Sequence, residues 1–132
     1  MLTELSKPKF NEEEIDILYE LGHNFLSQGQ FNKAETIFYG LYLLNSKNNK
    51  LVSSYLETLL QAKQVKKALK FIIKNNLNNI ISAKIYIYLK YYEKAYECLK
   101  NIINNNNKDK QLALAMLDYL LKRGYDKKYE FD

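Results

Sequence analysis

Leu18-Tyr19-Glu20-Leu21-Gly22-His23-Asn24-Phe25, continued by Gly29-Gln30-Phe31 and Ala34-Glu35-Thr36-Ile37-Phe38, is the stretch that decides the fold. Leu18, Leu21 and Phe25 stand at i, i+3 and i+7, which places them on one face of a helix. Gly22 has no side chain where a second helix must come close. Gly29, within Ser27-Gln28-Gly29-Gln30, supplies the positive φ that a tight turn between helices requires. Ala34 is small for the same reason as Gly22, and Phe38 is large enough to fill the gap between the paired helices. The stretch predicts a helical hairpin.

Thirty-four residues on, the spacing returns as Val52, Tyr55, Leu56, Leu59, Val65, Ala68 and Ile72. Alanine comes back in register, from Ala34 to Ala68, while Leu56 and Lys63 stand where Gly22 and Gly29 stood. A third unit carries Tyr92, Ala95 and Leu99, but Ala95 follows Ala68 by only 27 residues. The shortening falls on the preceding helix, expected over about Ile81 to Leu89, where it would change the pitch of a helical stack. A last amphipathic stretch, Gln111 to Lys122, presents Leu112, Ala115, Met116, Tyr119 and Leu120 on one side and stops at Arg123-Gly124. It reads as the capping helix that such a stack needs.

Seven helices follow from these patterns. Asn11 before Glu12, Glu13 and Glu14 is a capping side chain with acids in the first turn, so the first helix should run to about Ser27. The next are expected over about Asn32 to Leu44, Asn48 to Ala62 and Val65 to Lys74, and Asn104 to Asn107 reads as a loop. Strand-like alternation is confined to Ile85-Tyr86-Ile87-Tyr88, too short to build a sheet. The expected fold class is all-α, with about three hairpins and a C-terminal capping helix over residues 12–123, between a polar lead (1–11) and a polar tail (124–132); a right-handed stack of the hairpins is what the repeat resemblance given below implies.

The 132 residues carry 20 basic and 15 acidic side chains, a net charge of +5. The lysines are spread over every segment with acids interleaved, which disfavours nucleic acid as a partner. Lys63, Lys66, Lys67, Lys70 and Lys74 have helical spacing and read as a solvated ridge. The run Asn104 to Asn107 and the 12 tyrosines fit a composition rich in residues with A- and T-rich codons. No segment reaches the length needed to cross a bilayer, and Met1 to Phe10 lacks the apolar core of a secretion signal. The expected location is cytoplasmic.

Catalytic constellations do not emerge. His23 is the only histidine and Cys98 the only cysteine, too few for a His/Cys metal site, and Cys98 reads as a small buried or half-buried residue. There is no Gly-rich phosphate loop and no nucleophile elbow. The expectation is a protein that is not an enzyme and takes no cofactor.

The spacing of Leu18, Leu21-Gly22, Phe25, Ala34 and Phe38 resembles the tetratricopeptide repeat, a 34-residue helix–turn–helix unit. In that family the first helix of each hairpin lines a concave groove. The resemblance implies groove residues Tyr19, His23 and Leu26 in the first unit, Ser53, Glu57 and Leu60 in the second, and Ile80, Lys84 and Ile87 in the third. Repeats that clamp the C-terminal carboxylate of heat-shock proteins hold Lys and Asn where this chain has Tyr19 and His23, so that clamp is not expected. A mostly apolar groove suits an extended or helical segment of a protein partner.

Over Ile15 to Ile73, under half of the chain, Leu18-Tyr19-Glu20-Leu21-Gly22, Ser27-Gln28-Gly29-Gln30-Phe31 and Leu41-Tyr42-Leu43-Leu44-Asn45 resemble the small tetratricopeptide chaperones of bacterial type III secretion systems. The short lead before the first repeat and the shortened third unit depart from the translocator branch of that family and favour a chaperone of an apparatus component or early export substrate. The resemblance implies a small hydrophobic secretion component held soluble in the groove, with homo- or heterodimerisation left open. The competing expectations are a scaffold that bridges folded proteins through its outer helix faces and, more weakly, RNA binding through the lysine ridge.

Overall fold

The computed structural model describes residues 10–105 and 108–123. Among them lie seven helices and no strand: α1 (Glu12–Ser27), α2 (Phe31–Leu44), α3 (Asn49–Gln61), α4 (Val65–Lys74), α5 (Ile80–Tyr88), α6 (Tyr92–Asn105) and α7 (Lys110–Lys122). The all-α expectation holds. Most of the lead expected over 1–11, the tail expected over 124–132, Asn106, Asn107 and Gly124 lie outside the described residues. The chain divides into two compact units, Met1–Thr58 and Leu59–Asp132, with the boundary inside α3.

One local geometry recurs at four helix ends: at Asn76 (φ 49°) after α4, where the Leu77 N–H reaches Ile72 O (3.0 Å) and the Asn76 N–H reaches Ile73 O (3.3 Å), and at three turns that lead within two residues into the next helix. Gly29 (φ 75°), Lys63 (φ 60°) and Lys90 (φ 64°) all adopt the left-handed conformation. After each, the next backbone N–H reaches back over the helix end: Gln30 to Phe25 O, Gln64 to Leu59 O and Tyr91 to Tyr86 O, at 2.9, 2.9 and 2.8 Å. The left-handed residue itself bonds three residues back, to Leu26, Leu60 and Ile87 respectively. This is the Schellman end, which satisfies carbonyls that a terminating helix leaves over. Two residues later a new helix begins, at Phe31, Val65 and Tyr92. Its fourth residue is a fully buried alanine, Ala34, Ala68 or Ala95, and its eighth a large side chain at most 1% exposed, Phe38, Ile72 or Leu99. The alanine spacing read from the sequence thus marks one repeated turn, including two places where lysine replaces glycine.

In the first unit α1 opens with a complete capping box. The Asn11 side chain accepts from the Glu14 N–H (2.8 Å), and the Glu14 carboxylate accepts from the Asn11 N–H (3.2 Å). Helix α1 packs on α2, and Gly22 makes the approach close: a Cβ there would lie 2.7 Å from Phe38 Cε1 and 3.2 Å from Ile37 Cγ2. Burying Phe38 completely contributes roughly 2–3 kcal/mol. The buried stripe of α1 passes through Gly22 and Leu26, with Leu18, Tyr19, His23 and Phe25 half-buried. Leu21, expected on that stripe, is 39% exposed, because it lies about 100° around the helix from Gly22.

In the second unit α4 packs on α5, α5 on α6 and α6 on α7. Helix α5 has nine residues against sixteen in α1, which places the missing length of the third unit where the alanine spacing puts it. The alternating Ile85-Tyr86-Ile87-Tyr88 run is helical. Five positions of α5 are buried (Ile80, Ser82, Ala83, Ile85 and Tyr86), more than one stripe, as befits a helix covered on several sides. Asn79 caps it, accepting from both the N–H and the hydroxyl of Ser82 at 2.8 Å. Helix α6 buries Ala95, Cys98, Leu99 and Ile102, the i, i+3, i+4, i+7 pattern of one covered face.

Two expectations are corrected here. Helix α6 continues through Asn104 and Asn105, whose side chain donates to Asn101 O (3.1 Å) and satisfies a late carbonyl. In α7 the covered face is Ala113 and Leu120, with Met116 and Leu117 half-buried, whereas Leu112 and Tyr119 are 48% and 46% exposed and Ala115 is exposed. Residues 112–117 are apolar without interruption, so periodicity alone does not choose between adjacent faces.

Candidate binding surface

Tyr19 and His23 stand one turn apart on α1, and both reach Ser54 on α3 within the first unit. Ser54 Oγ donates to Tyr19 Oη (3.1 Å) and contacts His23 Nε2 at 3.1 Å. With the serine proton directed at Tyr19, His23 Nε2 carries the hydrogen and donates to Ser54 Oγ, so the chain of donors runs from His23 through Ser54 to Tyr19. The Tyr19 hydroxyl then keeps its own O–H to offer elsewhere. The His23 ring meets Tyr19 and Phe38 edge-on, with centroids 4.6 and 4.9 Å apart. Ser54 is 6% exposed and Thr58 is fully buried, its hydroxyl donating to Ser54 O at 2.8 Å. These bonds hold the polar edge of α3 in a fixed setting.

Among the described residues no carboxylate hydrogen-bonds His23, so nothing orients its ring as a base opposite Ser54. Nor do three His, Cys, Asp or Glu side chains converge there as a metal site requires. Cys98 is 2% exposed, its thiol donates to Asn79 O (3.5 Å), and burial pushes its pKa from 9.0 to about 11. That thiol is a poor nucleophile at neutral pH.

The remaining expected groove residues are placed unevenly. Leu26 is only 8% exposed and belongs to the core under α1. Ser53 and Glu57, one turn apart on α3, are half-buried. In the second unit Leu60 and Ile87 are half-buried, Lys84 is exposed and Ile80 is buried. Ser54 was not expected. It lies one residue beyond the slot that the repeat marks at Ser53, and only the unmet polar groups of Tyr19 and His23 point toward it.

Outside these positions, α4 buries Val65, Ala68 and Ile72 and leaves Lys66, Lys67, Lys70 and Lys74 exposed. Large apolar side chains are exposed on α2 (Tyr39, Leu43, Leu44) and α7 (Leu112, Leu114, Tyr119, Leu121). No described helix is long and apolar enough to cross a membrane. The chain matches no known protein-family model, and no curated protein matches it.

Proposed function

We propose that this is a non-enzymatic protein-binding chaperone of tetratricopeptide type, which holds an aggregation-prone polypeptide segment against the first helices of its hairpins. The observation that carries the reading is the turn repeated at Gly29, Lys63 and Lys90, each followed by the same buried alanine and large residue. One local plan of turn, buried alanine and large residue at three places along the chain suits a repeat scaffold, whose usual work is binding extended or helical segments. In the first unit the half-buried Tyr19, His23, Ser53 and Glu57 supply mixed polar and apolar contacts for such a segment; in the second, taken by itself, half-buried Leu60 and Ile87 and exposed Lys84 do the same. Leu26 supports them from the core. The resemblance of Ile15 to Ile73 to type III secretion chaperones makes a small hydrophobic secretion component the partner, and the cytoplasm the compartment. Stabilisation of the bound, unassembled partner by mass action requires no nucleotide.

Co-expression with the products of neighbouring genes, followed by pull-down on the tagged chain, tests the assignment. A small secreted or apparatus protein should co-purify, and Leu60→Asp combined with Glu57→Lys should release it. Failure to recover such a protein, or its undiminished capture by that variant, contradicts the proposal. A scaffold bridging folded proteins is the second reading, favoured by the exposed lysines of α4. It requires that Lys66→Glu with Lys70→Glu, and not the α3 changes, abolish capture.

A further inference from the structure

Charge is segregated along the chain more sharply than its net balance of +5 suggests. Residues 10–32 hold five acids and no lysine or arginine, whereas residues 58–92 hold seven lysines and no acid. The even spread of lysines expected from the sequence gives way in these two segments, which contain α1 and α4.

Each of these helices turns one charged face outward. On α1, Glu13, Asp16, Ile17 and Glu20 follow at i, i+3, i+4 and i+7 on the side opposite buried Gly22, and all four are exposed. On α4, Lys66, Lys70, Ile73 and Lys74 lie opposite buried Val65, Ala68 and Ile72 and are exposed as well. Ile17 and Ile73 are each 58% exposed, so each face sets one apolar side chain among charges of a single sign. Asp16, Glu20, Lys70 and Lys74 hold no hydrogen bond or ion pair among the described residues.

The two faces read as reversals of one another. In Asp16-Ile17-Leu18-Tyr19-Glu20 the exposed isoleucine comes one residue after the first charge; in Lys70-Phe71-Ile72-Ile73-Lys74 it comes one residue before the last. Both pairs of charges are spaced by four residues, about 6 Å along the helix axis. Laid antiparallel with Ile17 on Ile73, Glu20 meets Lys70 and Asp16 meets Lys74. Laid parallel with the same isoleucines in contact, Asp16 would meet Ile72 and Glu20 would meet Asn76, and both carboxylates would go unmatched. Because both faces are exposed in the one chain, the surface that answers each is the other face on a second copy.

We propose that the acidic face of α1 in one copy docks antiparallel on the lysine face of α4 in a second copy, through Ile17 against Ile73, Glu20 on Lys70 and Asp16 on Lys74. The proposal does not rest on the repeat-family reading. Two exposed ion pairs around a single isoleucine contact make a weak association.

Sedimentation equilibrium of the full chain tests it. The average mass should rise with concentration, with a dissociation constant on the order of 0.1–1 mM. Asp16→Lys/Glu20→Lys and Lys70→Glu/Lys74→Glu, each shown to be folded by circular dichroism, should each associate about tenfold more weakly alone. Their equimolar mixture should associate nearly as well as the native chain, because each reversed face then meets its opposite. The second variant lowers the net charge from +5 to +1, a change that by itself promotes association, so its loss reports the specific contact. In a Cys98→Ala background, Ile17→Cys mixed with mass-tagged Ile73→Cys and oxidised with copper phenanthroline should form the mixed disulfide several-fold faster than either variant pairs with itself. A chain that stays monomeric to about 1 mM overturns the proposal. So does a mixture that associates no better than its two components, or a mixed disulfide that forms no faster than the same-variant ones.

Discussion

Adding one methyl group at Gly22 should destabilise the chain, although the same change in an ordinary helix interior stabilises it. The new Cβ would stand 2.7 and 2.8 Å from Phe38 Cε1 and Cζ, where carbon pairs prefer about 3.5–4.0 Å. The ring cannot swing aside freely. It is fully buried, and its faces are engaged edge-on by His23 and Tyr19 at 4.9 and 5.9 Å. Overpacking of this kind costs about 1–3 kcal/mol, against a helix-propensity gain of about 0.5–1 kcal/mol for Gly→Ala. Gly22→Ala should therefore lose about 1–2 kcal/mol net, read as a lower urea midpoint at unchanged slope. Gly40, in the exposed interior of α2 with nothing within 4 Å of an added Cβ, is the control. Gly40→Ala should gain about 0.5–1 kcal/mol. Phe38→Leu should absorb part of the Gly22→Ala penalty, so the double variant is less destabilised than the sum of the singles. If Gly22→Ala stabilises as Gly40→Ala does, the close α1–α2 contact described here is wrong.

Other predictions follow from the turns, the cap and the buried thiol. Lys63→Gly and Lys90→Gly should each stabilise by about 1 kcal/mol, since both lysines hold a positive φ, while Gly29→Ala should destabilise by a similar amount; thermal melts decide the signs. Asn11→Ala removes the side-chain half of the α1 capping box and leaves the backbone N–H of residue 11 on the Glu14 carboxylate; it should cost about 1 kcal/mol, with hydrogen exchange speeding up first at residues 12–15. The Cys98 thiol holds its proton more tightly folded than unfolded, so its contribution is complete below pH 9.0 and is lost as pH rises toward about 11. Cys98→Ala should flatten the alkaline limb of the stability profile, and native Cys98 should resist iodoacetamide at pH 8.

The residues that made the fold legible were those whose physical role leaves few options. Gly29, Ala34 and Phe38 announce a turn, a close approach and a filled gap, and the return of alanine at Ala68 and Ala95 carries that plan along the chain. Lys63 and Lys90 were opaque because nothing in a lysine side chain signals a positive φ; the Schellman hydrogen bonds impose it. The covered face of α7 was opaque for the opposite reason, since an unbroken apolar run over 112–117 fits several faces equally. At the candidate surface, the i, i+4 pair of Tyr19 and His23 was legible as a shared face of α1. Its partner Ser54 was not, because contacts between helices depend on an axial offset that a repeat period does not contain. Tyr86 was read as one residue of a short alternating run, and its burial in α5 emerges only when α5 and α6 are paired.

The central claim is that a polypeptide segment binds the face of the first unit that carries Tyr19, His23, Ser53 and Glu57. Its most direct test is calorimetric titration of the co-purified partner into the wild-type chain, the Tyr19→Ala/Glu57→Lys variant and the Lys66→Glu/Lys70→Glu variant, each shown to be folded by circular dichroism. The account predicts about a tenfold or greater loss of affinity, at least roughly 1.4 kcal/mol, for the first variant and little change for the second. Full affinity in the first variant with loss in the second would contradict it.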